Sequence, residues 1–169
     1  MKDLPLIHDW LETPIGRLLL AGDADSLHFL SFPGGHKAFG PHPAWTRSEG
    51  AFAEVKRQLL DYFAGRRQVF DLPLTLHGTD FQKQVWDRLR AIPFGRTTTY
   101  GELAREIGAP RASRAVGAAN GANPLPVIIP CHRVIGANGS LTGFGGGIET
   151  KRHLLQLEGS LPEAPVRSG

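Results

Sequence analysis

Two turn signals near the start of the chain, Thr13-Pro14-Ile15-Gly16 and Gly22-Asp23-Ala24-Asp25, cut residues 7–32 into short apolar segments. Short apolar runs divided by turns rich in Pro, Gly and Asp read as strands folding back on one another, so an antiparallel meander is expected. Residues 33–47, rich in Gly, Pro and His, read as a loop. From Ser48 the apolar period changes. Phe52, Val55, Leu59 and Phe63 fall on one helical stripe that runs until Gly65, and residues 66–78 read as an extended link.

A second unit opens at Thr79, a helix N-cap, followed by the stripe Phe81, Val85, Trp86 and Leu89, which ends before Pro93 and Gly95. "TYGE" at 99–102 has the form of a capping box, in which the Thr99 hydroxyl caps the Glu102 amide and the Glu102 carboxylate reaches back. That short helix stops at Gly108-Ala109-Pro110, and another is expected from about Arg111 to Gly121. Two short helices joined by a Gly-containing turn suit a helix-turn-helix. The fold class expected is α/β (α+β). A sheet-and-helix domain at 1–78 precedes a mainly helical domain at 79–160 with a winged-helix-like helix-turn-helix, and 161–169 form a tail without order.

The second helix of that pair, "RASRAVGAANGAN", is mostly Ala and Gly, with Arg114 and Asn120 as its polar reach. A base-edge code in the major groove would use several Arg, Asn or Gln side chains. A smooth helix carrying one long cation fits a shape-based minor-groove contact better. Small residues also allow tight helix–helix packing, and the two uses can occupy different faces. Charge agrees with a polyanionic partner: the net charge is +3, and no Asp or Glu occurs between Glu106 and Glu149, while Arg111, Arg114 and Arg133 remain.

Hydrophobic residues make up 41% of the chain, enough for a packed core. The single cysteine excludes an internal disulfide, and no Cys/His set has zinc-site spacing. Asp3, His8 and Asp9 stand where a signal peptide needs an apolar core, and no run of 18 apolar residues exists. The expectation is a soluble protein of a reducing cytoplasm, with no membrane contact.

That one thiol lies in "PVIIPCHRVIG", followed directly by His132 and Arg133. A free thiol is only a few per cent ionised at neutral pH, and the thiolate is the nucleophile. An imidazole that accepts the proton, or a nearby guanidinium, would raise that fraction. Moving the pKa to about 7 is worth less than about 2 kcal/mol of barrier, so orientation of the substrate must supply much of any acceleration. Neighbours on a regular strand point to opposite faces. Cys131 and His132 can therefore cooperate only at a strand end, in a turn, or through a bridging water, and Pro130 makes such a break plausible.

"IPCHRV" at 129–134 resembles the active-site motif of the O6-alkylguanine-DNA alkyltransferases (methylated-DNA–protein-cysteine methyltransferases). The resemblance extends through "FQKQVWDRLRAIPFGRTTTYGELA", "SRAVGAANGANPLPVIIPCHRVIG" and "GGIETKRHLLQLEG", so it spans residues 79–159. It implies single-turnover repair of double-stranded DNA with no cofactor and no metal. Cys131 would take and keep the alkyl group from O6 of guanine, with O4-alkylthymine as a second lesion. His132 would be the base, acting through water, Glu158 would orient it, and Tyr100 would protonate the departing guanine.

The same resemblance implies that the damaged nucleotide leaves the stack and that Arg114 fills its place. Thr99, Ser113, Ala115, Asn120 and Gly121 would lie at the DNA. Asn123 would be a hinge, or simply form an Asx-turn before Pro124. Val134, Phe144, Gly145 and Gly146 would line the base pocket. "GFGGG" at 143–147 departs from relatives that carry a tyrosine and a small hydroxyl residue here, so Phe144 can stack without offering a phenol. The small residues suggest room for groups larger than methyl. No zinc is expected in the first domain, which has no cysteine. No obligate protein partner is implied, and cooperative self-association on DNA stays open. Two other functions fit parts of the sequence. A binding-only recruiter would lack the reactive cysteine, and a thiol hydrolase would leave the acid-free helix pair and Arg114 unexplained.

Overall fold

The computed structural model describes residues 2–141 and 143–161; from residue 162 onward the expected tail lies outside the described residues. The two turn signals make the meander: β1 (Ile7–Thr13), β2 (Gly16–Gly22) and β3 (Leu27–Ser31) pair antiparallel in sequence order. Side chains alternate across a strand. Leu18 and Leu20 of β2 accordingly enter the main core, while Leu19 and Ala21 face a second cluster with Leu6, Phe29 and Trp45. Burying one such Leu is worth roughly 2 kcal/mol, so the middle strand holds both faces of the sheet.

The sheet is not purely antiparallel. β4 (Thr46–Arg47), inside the segment expected as a loop, pairs parallel with β1, giving the order β3-β2-β1-β4. Trp45 explains it. Its ring is buried against Phe29, with centroids 5.8 Å apart, and its indole donates to the Lys2 carbonyl at 2.7 Å, which lays the following residues along the sheet edge.

The first helix also begins later than its stripe suggests. α1 is Ala53–Phe63, and Phe52 sits just outside it with φ 61. Residues 48–51 are held as a turn, with Ser48 donating to the His8 carbonyl at 2.9 Å and the Gly50 amide to the Asp9 carboxylate at 3.1 Å. The link at 66–78 is tied to β3: the Leu27 amide donates to Pro73 and the Thr75 amide to Leu27, both at 3.0 Å.

α2 (Asp80–Arg90) opens on Thr79 in a full capping box with Gln82. α3 (Tyr100–Glu106) is capped by Thr99, which accepts from the Glu102 amide at 3.2 Å. Its carboxylate accepts from the Thr98 hydroxyl at 3.1 Å, where the sequence suggested a reach back to the cap. α4 (Ser113–Gly121) starts two residues later than expected. A two-stranded parallel ladder, β5 (Thr98–Thr99) with β6 (Val134–Ile135), joins the start of α3 to the segment carrying the cysteine. α5 (Ile148–Leu157) closes the fold.

The main apolar cluster joins both halves of the chain: Leu18, Leu59 and Tyr62 share it with Trp86, Leu103, Val116 and Leu154. Among the described residues no helix is long and apolar enough to cross a membrane.

One buried carboxylate fastens β1 to its neighbours. Asp9 accepts from Lys56 on α1, from Arg47 on β4 at 3.4 Å and from the Gly50 amide. Burial pushes its carboxyl up, but the Lys56 bond and the amides of Trp10 and Gly50 outweigh that and hold it at about 2. A depressed value stabilises the fold above the ordinary carboxylate pKa of 3.8 and is lost as pH falls toward 2. Asp9→Asn should therefore cost about 2 kcal/mol at neutral pH. The difference from wild type should shrink as pH drops from about 5 toward 2 in urea titrations.

Candidate functional site

Pro130 ends the apolar run and turns the chain, and Cys131–Arg133 form a single 3-10 turn. Neighbouring side chains in such a turn need not point to opposite faces, which removes the obstacle that a regular strand would pose. Asn123 supports the turn from below. Its Nδ2 donates to the Ile129 carbonyl at 2.7 Å and its Oδ1 accepts from the Leu125 amide at 2.9 Å, so the Asx-turn and the tie between helix and active segment are both present. Between them Val127 adopts φ 74. A left-handed β-branched residue costs on the order of 1–3 kcal/mol and persists only where its surroundings over-determine it. Here it is 1% exposed.

Cys131 is buried and lines a cavity of about 60 Å3 together with Asn120, Gly121, Asn123, Phe144 and Gly145. One water needs roughly 10–15 Å3, so the thiol faces space that a guest can enter. Burial pushes the thiol up to about 11, against the opposing effects of the Asn123 hydrogen bond, Lys151 and nearby amides. The resting sulfur is thus a thiol. The expected lift in thiolate fraction from its neighbours is outweighed by desolvation.

The charged groups around it also differ from the sequence reading. Arg133 is turned away into a bidentate pair with Glu158, Nε to Oε1 at 2.8 Å and Nη2 to Oε2 at 2.9 Å, and its Nη1 donates to the Ile92 carbonyl at 2.6 Å. The cation that acts on the sulfur is Lys151, fully buried on α5, whose Nζ donates to the Val134 carbonyl at 2.7 Å. Desolvation lowers Lys151 to about 8, opposed by the charge Cys131 would carry.

His132 is wholly buried, with Nε2 2.7 Å from Glu158 Oε2. A carboxylate can only accept, so Nε2 carries the proton and Nδ1 holds the lone pair. Nδ1 has no hydrogen-bond partner among the described residues. Desolvation lowers the imidazole pKa, against the raising pull of Glu158, so the ring is neutral at rest. Glu158 caps the end of α5. Burial pushes its carboxyl up, yet bonds from His132 and Arg133 prevail and hold it at about 2. Chemically this is a neutral thiol and a neutral imidazole with a free lone pair, backed by a carboxylate locked in its ionised form.

The remaining expected site residues divide. Arg114 and Ala115 are exposed on α4, with Ser113 and Thr99 half-buried beside them, while Val116 and Ala119 face inward. Trp86 donates to the Ala119 carbonyl at 2.8 Å, so close packing and a smooth outer face do occupy opposite sides of one helix. Asn120, expected at the DNA surface, is instead 7% exposed and turned toward the active segment, Nδ2 3.4 Å from the Cys131 carbonyl. Tyr100 packs at the α3–α4 crossing over Gly117, and neither it nor Val134 lines the cavity.

The glycines at 145 and 146 do not leave vacant room. A Cβ on Gly146 would lie 2.4 Å from the Phe32 ring, and one on Gly145 2.7 Å from the Lys37 side chain. Phe32 and Lys37 fill the space beside these two glycines, while Gly143, which also lines the cavity, has nothing within 4 Å of where a Cβ would stand. Phe32, Lys37, Lys151 and Tyr62, whose hydroxyl donates to Glu158 Oε2 at 2.6 Å, were not singled out from sequence. Lys151 carried one signal. It sits three residues after Ile148 and three before Leu154, on the apolar stripe of α5.

Comparison with known proteins places both halves of the chain. Residues 80–160 match the family model described as 6-O-methylguanine DNA methyltransferase, DNA binding domain. Residues 6–76 match its ribonuclease-like domain. A methylated-DNA–protein-cysteine methyltransferase of Methanosarcina acetivorans is 53% identical over 149 residues, 88% of this chain and 96% of that one. The protein of that name from Mycobacterium bovis is 52% identical over 157 residues, 92% of this chain and 94% of the other. In structure, Mycobacterium tuberculosis OGT in complex with DNA superposes with a TM-score of 0.86 at 51% identity, covering 91% of this chain and 93% of that one.

Removing the carboxylate while keeping its shape tests the electrostatic design. Glu158→Gln leaves the buried Arg133 guanidinium without a counter-charge, so urea unfolding at neutral pH should show a loss of about 3–5 kcal/mol. Retention of wild-type stability would mean that the buried Arg133 guanidinium needs no counter-charge.

Proposed function

This chain belongs to the 6-O-methylguanine DNA methyltransferase family, and on that premise we propose that Cys131 accepts the alkyl group of O6-alkylguanine in double-stranded DNA, once per chain. The observation that carries the reading is the chain's one thiol, lining a cavity beside a buried imidazole whose free lone pair is backed by Glu158. O4-alkylthymine, which presents an alkylated oxygen of the same kind, is the second lesion. The protein works in the cytoplasm, and no cofactor takes part.

The lesion lies within the base stack and the sulfur within the protein, so the nucleotide must swing out from the minor-groove side. α4 supports that motion through its smooth outer face. Arg114 enters the space the nucleotide leaves, Ala115 and Gly121 allow close approach, and Ser113 and Thr99 flank the contact. Asn120, being buried, is placed in the pocket wall with Asn123, Phe144 and Gly145. Gly146 seats the loop on the first half of the chain, and Val134 anchors the segment through β6.

In the reaction the Cys131 proton passes through a water to His132 Nδ1. The sulfur forms a bond to the alkyl carbon as the bond from that carbon to O6 breaks. The displaced guanine takes a proton from Tyr100, which reaches the departing oxygen once the base is seated. Lys151 favours the thiolate as it forms. A resting thiol near 11 is consistent with a group that ionises only when the substrate arrives. The division near residues 78 and 79 belongs to the same reading: residues 1–78 supply walls and supports, and 79–160 the DNA contact and the chemistry.

Incubation with a duplex carrying O6-methylguanine should add one methyl to the intact mass of each chain, and Cys131→Ala should add none. Binding with no change in mass would point to a recruiter of other factors instead. Arg114→Ala should slow transfer from the duplex by roughly 10- to 100-fold, because the few kcal/mol that extrusion costs lose their compensation. Transfer from a single-stranded oligonucleotide with the same lesion should change little. Equal slowing on both would assign Arg114 to phosphate contact.

A further inference from the structure

The catalytic carboxylate has a partner from the other half of the chain. Tyr62 lies on the buried stripe of α1 with Val55, Leu59 and Phe63, is 0% exposed, and donates its hydroxyl to Glu158 Oε2 at 2.6 Å. That same oxygen accepts from His132 Nε2 at 2.7 Å and from Arg133 Nη2 at 2.9 Å. Three donors therefore converge on one carboxylate oxygen, and the phenol makes the shortest of the three bonds.

We propose that Tyr62 is a positioning residue of the alkyl-transfer site: by competing with the imidazole for Glu158 Oε2, its hydroxyl sets the proton affinity of His132 and keeps the ring neutral and ready to accept the Cys131 proton. The inference rests on the alkyl-transfer reading above. It also gives the first domain a part in the chemistry.

A carboxylate oxygen that already receives a hydrogen bond has less charge to offer another donor. With Tyr62 and Arg133 both bound to it, Glu158 holds the imidazole by Nε2–H without stabilising an imidazolium fully. Remove the phenol, and the same oxygen binds the ring proton more strongly and favours the charged ring. The other groups facing His132 stay as they are. Arg133 in the same turn and Lys151 on α5 both oppose a positive charge there, while Glu158 alone favours it. Burial and the neighbouring carboxylate hold the Tyr62 hydroxyl firmly protonated. It acts as a donor only.

Tyr62→Phe keeps the buried ring and deletes the donor. Two measurements decide the matter: the His132 ring titrated by nitrogen NMR in the full-length protein, and the single-turnover rate of methyl transfer from duplex DNA as a function of pH. In the variant the His132 midpoint should rise by about half a unit to one unit, the effect of one net hydrogen bond. The acid limb of the rate should move up by the same amount, with the high-pH plateau kept within a few-fold.

A midpoint that stays in place or moves down overturns the role of Tyr62, and so does a rate lowered at every pH without movement of the limb, which is what loosened packing alone would produce. Should Tyr62→Phe not fold, 3,5-difluorotyrosine installed at position 62 alone keeps the hydroxyl and strengthens it as a donor. It must then shift the midpoint down. The NMR titration needs no alkyl transfer, so absence of transfer in the wild type would overturn the function proposed above while leaving the Tyr62 measurement decisive.

Discussion

The site depends on one carboxylate. Glu158 is buried at the end of α5 and receives His132, Arg133 and Tyr62. Burying a charge is costly unless each of its lone pairs finds a donor, and here the donors come from α1 and from the Cys131 turn. The arrangement therefore fixes more than an imidazole. It fastens α1, the Cys131 turn and α5 at one point, and Arg133 extends that point to the end of α2 through the Ile92 carbonyl. The electrostatic requirement of the reaction and the mechanical requirement of the fold meet in the same atoms.

This accounts for an apparent conflict at the sulfur. A nucleophile is commonly described as activated in advance, yet the Cys131 thiol is pushed away from ionisation by burial and the imidazole beside it is neutral. For a protein that reacts once, a protected thiol has a clear physical advantage: the thiolate is the form open to oxidation and adventitious alkylation. On the alkyl-transfer reading proposed above, activation waits until a base fills the cavity, with the His132 lone pair and the buried Lys151 in place beforehand.

Much of the fold could be read directly. The Pro- and Gly-bearing turns at 13–16 and 22–25 set the meander, Thr79 and Thr99 cap their helices, and the helix pair at 100–121 follows its Gly-Ala-Pro break. These features are local, governed by neighbours a few residues away. In the candidate site, Cys131 and His132 were legible from the motif IPCHRV, and Glu158 only through the wider family resemblance. What escaped was set by long-range packing. Tyr62 sits ninety-six positions from its partner Glu158 and reads as one more apolar stripe residue. Asn120 looks like a surface amide on an Ala-rich helix until its face is known. The glycines at 145 and 146 suggest open space unless Phe32 and Lys37 are seen against them.

The tie between α2 and α4 has a consequence for the nucleic acid. With its inner face packed on α2 and its last turn held by the Trp86 indole through the Ala119 carbonyl, α4 is fastened to α2 near its C-terminal end. On the alkyl-transfer reading proposed above, widening, bending or unstacking falls to the double helix rather than to this fastened helix, and an already weakened base pair yields first. On that reading a helix tied down at one end becomes a way of sensing softness in its partner.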